Sequence, residues 1–218
     1  DFYIGNAKDS PGILFIQTKN GSFKTNYFEE EVISEDTGCA FFDADNDGDL
    51  DLYVASGGSE FPSSSSALKD RLYVNDGKGN FSKSKTPPHR QYAVTSCVRP
   101  CDFDKDGDID LFIGNRQRPF LYGVPVTSLL LENNNGSYKN ILPQKENNPL
   151  SGMITDGQWA DFTGDGQMDL LVVGDWMSPT LLIQKEGKWI AESVGSSGLW
   201  NCVEVGDVDG DGDMDFVA

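Results

Sequence analysis

Four copies of one nine-residue acidic loop limit what this chain can fold into more than any other feature. They read Asp43-Ala-Asp45-Asn-Asp47-Gly48-Asp49-Leu-Asp51, Asp102-Phe-Asp104-Lys-Asp106-Gly107-Asp108-Ile-Asp110, Asp161-Phe-Thr163-Gly-Asp165-Gly166-Gln167-Met-Asp169 and Asp207-Val-Asp209-Gly-Asp211-Gly212-Asp213-Met-Asp215. Carboxylates at positions 1, 3 and 5 can converge on one hard cation. Glycine at position 6 permits the left-handed turn, position 7 offers its carbonyl, and the aspartate at position 9 closes the shell. A single Asp-Gly cluster marks a solvated turn. Four in-frame copies mean more, because carboxylates this dense repel one another unless a cation neutralises them. About four Ca²⁺ ions are therefore expected, one per loop. The third loop departs from the pattern, with Thr163 in place of an acidic ligand and Gln167 at position 7. Its site is expected to be the weakest.

The residues after each loop decide the architecture. An EF-hand or dockerin loop runs for about twelve residues into a helix. Here the ninth residue already lies in a short apolar run, as in Leu50-Asp-Leu-Tyr-Val-Ala55 and Met168-Asp-Leu-Leu-Val-Val173, which reads as a β-strand. The loop therefore joins two strands. First aspartates at 43, 102, 161 and 207 recur at intervals of 59, 59 and 46 residues, and a strand-rich period of about 40 to 60 residues is that of a propeller blade. A second landmark keeps phase with the first: an apolar strand, a tight turn and an aromatic. The turns are Asn20-Gly21, Asp76-Gly-Lys-Gly79, Asn135-Gly136 and Glu186-Gly187, which is hairpin chemistry.

The expected fold is thus an all-β propeller of four-stranded blades, A to D, with the acidic loop between A and B. The expected division is a partial blade 1–36 (strands B to D), blades 37–95, 96–154 and 155–200, and a partial blade 201–218 (strands A and B). Asp1-Phe-Tyr-Ile-Gly5 repeats the strand-B pattern of Asp215-Phe-Val-Ala218, so the chain reads as a segment of a longer propeller of about seven blades. Closure as four blades, with 202–206 completing the first, is the competing arrangement.

The loops followed by Asp-Leu-Tyr-Val or Asp-Leu-Phe-Ile-Gly resemble FG-GAP and VCBS repeats, the calcium-loop blades of integrin α-subunit propellers. More closely, Asp51-Leu-Tyr-Val-Ala-Ser-Gly-Gly-Ser-Glu-Phe61, Asp70-Arg-Leu-Tyr-Val-Asn-Asp-Gly-Lys-Gly-Asn-Phe81 and Gly174-Asp-Trp-Met177 resemble secreted VCBS-repeat proteins of Bacteroidota related to cartilage acidic protein, which often end in an ASPIC/UnbV segment. The resemblance spans the chain. It implies an extracellular or cell-surface calcium-binding scaffold for protein or glycan interaction and adhesion. Because such blades serve several functions, a lectin or the propeller of a polysaccharide lyase or hydrolase is the alternative.

Composition narrows the partners. The formal charge of −18, which four Ca²⁺ would only halve roughly, repels nucleic acid and anionic membranes. No apolar run approaches the roughly 18 residues of a transmembrane helix. Loops of this kind suit calcium at the roughly 10⁻⁴ to 10⁻³ M affinities of extracellular modules. Cys39, Cys97, Cys101 and Cys202 give no disulfide framework. Cys97 and Cys101 would lie about 13 Å apart along a strand, so buried free thiols are expected, with a Cys39–Cys97 bridge as the remaining option.

Other features carry less. Asn20-Gly-Ser22, Asn80-Phe-Ser82 and Asn135-Gly-Ser137 match the glycosylation triplet, but all sit at the same hairpin, where turn geometry explains them. Trp159 and Trp189 occupy repeated core positions, leaving Trp176 and Trp200, beside Asp175 and Asn201, as sugar-stacking candidates. No catalytic residues are assigned. The lone histidine, His89, sits in a Pro-Pro-His-Arg stretch and reads as a surface residue, and Asp156, Asp175 and Glu204 are carboxylates outside the loops that nothing pairs. The long B-to-C connections, Ser56 to Asp70 and Asn115 to Thr127, are the expected recognition face.

Overall fold

A computed structural model describes residues 1–89, 93–143, 148–185 and 187–218. Three strands, Phe2–Ile4, Gly12–Gln17 and Phe23–Phe28, form a first antiparallel sheet. The second sheet runs in order through Glu35–Phe42, Asp51–Gly57, Arg71–Asn75 and Phe81–Lys83. The third comprises Val94–Cys101, Asp110–Gln117, Leu129–Glu132 and Lys139–Asn140. Ile154–Ala160, Asp169–Met177, Thr180–Lys185 and Lys188–Ser193 make the fourth, and Glu204–Gly206 pairs Asp215–Val217 as a final hairpin. In sequence order the strands of a full sheet are its A, B, C and D. No α-helix occurs among the described residues. This is an all-β propeller segment whose sheets stack face to face.

Strand B explains why the blades stack. Asp51–Gly57 is buried along its whole length, so both of its faces must be apolar, and a continuous apolar run is what such a strand requires. Leu52 and Val54 meet Tyr3, Phe28 and Phe41 on the side of the first sheet, while Tyr53 and Ala55 meet Val98, Leu111 and Ile113 on the side of the third. Equivalent apolar layers join the third sheet to the fourth through Cys97, Phe112, Ile154 and Val172, and the fourth to the last hairpin through Val173 and Val203.

A polar relay runs beside these layers. Thr37, Ser96 and Thr155 stand six residues before the three loops. Each hydroxyl donates to a carbonyl in, or leading into, the next sheet: Thr37 Oγ1 to Thr95 O at 2.5 Å, Ser96 Oγ to Ile154 O at 2.6 Å, Thr155 Oγ1 to Trp200 O at 2.6 Å. The same hydroxyls face Ala55 O, Gly114 O and Val173 O on their own strand B. A hydroxyl supplies one proton and shares it between two acceptors.

Two expectations change here. Glu204–Gly206 pairs with Asp215–Val217 and Phe2–Ile4 with Gly12–Gln17, so 202–206 does not complete the first sheet and no four-bladed ring closes. All four cysteines are free thiols, but only Cys97 is buried, with Cys101 half-buried and Cys39 and Cys202 exposed. The reason is register. Cys97 and Val98 are buried because a sheet lies on either side of theirs, whereas Cys39 is in the register of Val98 and Cys202 in that of Cys97, each facing a side with less covering chain. Of the four hairpin turns, Glu186 lies outside the described residues.

Candidate metal centre

Each acidic loop is wound by its own backbone amides. Position 1 sits at the centre: Asp43 Oδ2 accepts from Gly48 N at 2.9 Å, Asp161 Oδ2 from Gly166 N at 2.8 Å and Asp207 Oδ2 from Gly212 N at 3.0 Å. Position 5 braces the far side, Asp106 Oδ1 accepting from Asp108 N at 2.9 Å, with Asp47, Asp165 and Asp211 doing the same in their loops. Two residues per loop are left-handed. Gly48, Gly107, Gly166 and Gly212 hold position 6, and Asn46, Lys105, Gly164 and Gly210 hold position 4. The second set went unread in the sequence. Glycine at 164 and 210 and asparagine at 46 were its signal, since these residues accept positive φ most cheaply.

Position 9 ties the loop to the sheet. Asp51 Oδ2 accepts from Ala44 N at 2.9 Å and its Oδ1 from Asn75 N at 2.8 Å; Asp110 does the same with Phe103 N at 3.1 Å and Asn133 N at 2.8 Å. One carboxylate thus joins the loop entrance to the end of strand C. Asp169 and Asp215 also hold their loop entrances, through Phe162 N at 3.0 Å and Val208 N at 3.0 Å.

Positions 1, 3 and 9 converge. In the triads Asp43–Asp45–Asp51, Asp102–Asp104–Asp110 and Asp207–Asp209–Asp215, one carboxylate oxygen from each residue lies within 4.8 Å of the others, the span set by calcium–oxygen bonds of about 2.4 Å. Asp102 Oδ1 is buried without a hydrogen-bond partner, a lone pair that a cation would satisfy. Burial pushes the Asp110 carboxyl up to about 7, against the pull of the amides of Asn133 and Phe103. Burial also raises Asp45, Asp51, Asp104 and Asp169. Carboxylates raised in this way gain most from a bound cation, which makes the charged form the favoured one. With Thr163 at position 3, the third loop brings no such triad together among the described residues.

Position 7 does something else. Asp108 is buried, and its side chain accepts from Asn135 N at 2.5 Å and from Asn46 Nδ2 of the preceding loop. Lys105 Nζ likewise reaches Gly166 O in the third loop. The side chains at position 4 of the first two loops therefore link each to the next.

Residues outside the loops divide among buried polar pairs, packed rings and exposed surface. His89 is not a surface residue: its Nε2 lies 3.0 Å from Asp70 Oδ2 and 2.8 Å from the Tyr53 hydroxyl, and Asp70 also accepts from Ser56 N at 2.7 Å and Thr95 Oγ1 at 3.1 Å. The buried carboxylate of Asp70 collects these groups because an unpaired charge there would be costly; Arg90 lies outside the described residues. Asp156 pairs with Arg99 and Asp175 with Arg116, both across a blade boundary, and Glu204 accepts from Gln158. Trp159 and Trp189 pack with Phe103, as expected. Trp200 is not an open platform, because it packs against the layer of Val173 and Val203 and donates Nε1–H to Met177 O at 3.0 Å. Trp176 alone of the four is exposed. Asn20, Asn80 and Asn135 sit in hairpin turns.

The register of these loops, with Asp at positions 1 and 9, Gly at 6, and strand B directly following, decides the family. The chain belongs to the FG-GAP-like repeat family. Three FG-GAP-like repeats match, over residues 43–113, 102–172 and 161–218, each beginning at the position-1 aspartate of a loop. A search of curated proteins finds no match to this chain. FG-GAP repeats here place three aspartate triads able to hold metal at the beginning of the strands Asp51–Gly57, Asp110–Gln117 and Asp215–Val217, with the B-to-C connections at the opposite end. No helix among the described residues is long and apolar enough to cross a membrane.

Proposed function

We propose that the chain is part of an extracellular or cell-surface propeller scaffold that is locked by calcium and presents its B-to-C connections to a protein or glycan partner. The carrying observation is the convergence of positions 1, 3 and 9 within calcium-coordinating distance in three loops. In this reading Asp43, Asp45, Asp47 and Asp51 hold one ion, with Asp102, Asp104, Asp106 and Asp110, and Asp207, Asp209, Asp211 and Asp215, doing the same. Position 7 (Asp49, Asp108, Gln167, Asp213) contributes its carbonyl. Asp161, Asp165 and Asp169 with the Thr163 hydroxyl make a fourth, weaker site. The blades divide near residues 36, 95, 154 and 200, as members of a larger ring of about seven. Adhesion or capture suits a strongly acidic surface that repels nucleic acid and anionic lipid. A catalytic reading gains nothing from Asp156 and Asp175, whose carboxylates are held in ion pairs with Arg99 and Arg116.

Calcium that binds only the folded state adds its binding free energy to stability, about 2.7 kcal/mol per site at one hundred times Kd. Millimolar calcium added to EDTA-stripped protein is therefore expected to raise the melting temperature by many degrees. Magnesium should do less, because it demands a smaller octahedral shell. An unchanged melting curve defeats the proposal.

A further inference from the structure

The contact between the first and second acidic loops reaches from the ligands of one to the ligands of the other. Asn46 stands at position 4 of the first loop, between the position-3 and position-5 carboxylates Asp45 and Asp47, with φ of 61°. Its backbone is wound with the loop, and the winding aims its side chain. That side chain leaves its own loop, Nδ2 donating to Asp108 Oδ1 at position 7 of the second. Asp108 is buried. Its Oδ2 accepts from Asn135 N at 2.5 Å, and its own amide donates to Oδ1 of Asp106, the position-5 carboxylate, at 2.9 Å. An unbroken path of chain and hydrogen bonds thus joins Asp45 and Asp47 in one loop to Asp106 in the next.

The first loop shows what position 7 lacks without such a partner. Asp49 is the counterpart of Asp108, and its Oδ1 is buried with no hydrogen bond. An oxygen left in that state is unfavourable, so the Asn46 amide completes the second loop rather than decorating it. Elsewhere the contact differs. Lys105 ends on a main-chain carbonyl, Gly166 O, and the glycines at 164 and 210 have no side chain to extend. Among the described residues, only the first two loops are joined side chain to side chain. A cation drawn between Asp45 and Asp47 fixes the stretch that carries Asn46. With Asn46 held, Asp108 is held, and the second loop has less left to order when it binds. Sites that share an ordering step bind cooperatively, and the coupling is reciprocal. The Asp108 carboxylate, lying where the two loops meet, also offsets the repulsion between two dications.

We propose that the calcium sites of the first and second loops are positively coupled through Asn46 and Asp108. This rests on the calcium-locked scaffold reading above and adds an order of filling to it. The test follows the Gly48 and Gly107 amides, one in each loop, by NMR as calcium is added to the EDTA-stripped chain. Asp47→Asn weakens the first site and Asp106→Asn the second, each leaving the neighbour's carboxylates in place. Asn46→Gly removes the link but keeps the left-handed turn, since glycine already holds that position at 164 and 210. Disabling one loop is expected to raise the calcium midpoint of the other, in whichever of the two fills second, by about fivefold. In the Asn46→Gly background the same change is expected to be smaller by that factor; the lost charge acts in both backgrounds, so the difference between them is the coupling. Midpoints that stay put in the chain with Asn46, or that move equally with and without it, overturn the coupling while leaving the calcium reading intact. Glycine amides that do not respond to calcium at all overturn both.

Discussion

The two ends of strand B differ in what repeats. At its start each blade from the second onward has an acidic loop with the same backbone bonds, position 1 to the position-6 amide and position 9 to the loop entrance. At its far end each blade is different: the second gathers Tyr53, Asp70 and His89 into a buried polar cluster, the third turns sharply at Phe120, and the fourth bulges at Trp176. The repeating end is where the aspartate triads able to hold metal lie. The varied end differs from blade to blade, as loops on a rigid scaffold generally do.

The largest effect that would break this contrast is on stability at the repeating end. Asp110→Ala leaves the amides of Phe103 and Asn133 unpaired in a buried place, at a cost of about 2–5 kcal/mol even in EDTA. Asp106→Ala removes an exposed carboxylate bonded to one amide and is expected to cost about 1 kcal/mol or less in EDTA, its loss appearing only when calcium is present. Urea unfolding of both variants with and without calcium measures the difference. Equal losses in EDTA would mean that position 9 does no more than bind metal.

Acid should separate the two states of the loops. Without a cation, Asp110 titrates at about 7 in the folded protein, above the roughly 3.9 of an unfolded chain. A raised folded value means that the folded form binds the proton more tightly. The stabilisation is therefore complete below about pH 4 and is lost as pH rises through about 7. Asp45, Asp51, Asp104 and Asp169 shift in the same direction. Calcium acts oppositely, since protons compete with it. Melting temperatures of stripped and calcium-loaded protein should converge on acidification from pH 8 to pH 5, and curves that stay parallel would contradict the site.

A gain is expected in the third loop. Thr163→Asp restores the missing position-3 carboxylate, and since affinity follows ligand charge, calcium should bind there about tenfold more tightly. Calorimetric titration would show one event moving to higher affinity while the others stay put. The smallest effect belongs to the varied end. Phe120→Gly relieves positive φ in a 65% exposed residue and should stabilise the chain by about 0.5–1 kcal/mol, at the expense of the apolar surface beside Trp176. Destabilisation in urea would show that the ring is part of the packing.

Legibility in the sequence obeys the same division. Anything repeated could be aligned against itself: the loops, the buried strand B, the hairpin turns and the aromatics Trp159 and Trp189 stand where their phase placed them. The position-4 residues were equally repeated but were hidden by chemical variety, since Asn46, Lys105, Gly164 and Gly210 share only a backbone conformation. Thr37, Ser96 and Thr155 were hidden too, because a hydroxyl in a strand gives no sign of the carbonyl that accepts its proton. Unrepeated features were not legible. His89 has one neighbouring motif of Pro-Pro and nothing to show that Asp70, 19 residues earlier, would draw it inward. Trp200 and Trp176 looked alike until one was packed and the other thrown outward by a bulge.

The hydroxyl relay from Thr37 to Ser96 to Thr155 has a mechanical consequence. The second, third and fourth blades each grip the next through one short hydroxyl bond on strand A, backed by an apolar layer, an ion pair or a loop-to-loop contact, so the array resembles a stack of plates pinned near one edge. Tension that pries blades apart loads these pins one at a time, and a blade gripped on a single side yields before one gripped on both. Under such load the amides of Phe2–Ile4 and of the hairpin Glu204–Val217 should exchange with solvent first and those of Asp110–Gln117 last, fraying inward from both ends rather than opening in the middle.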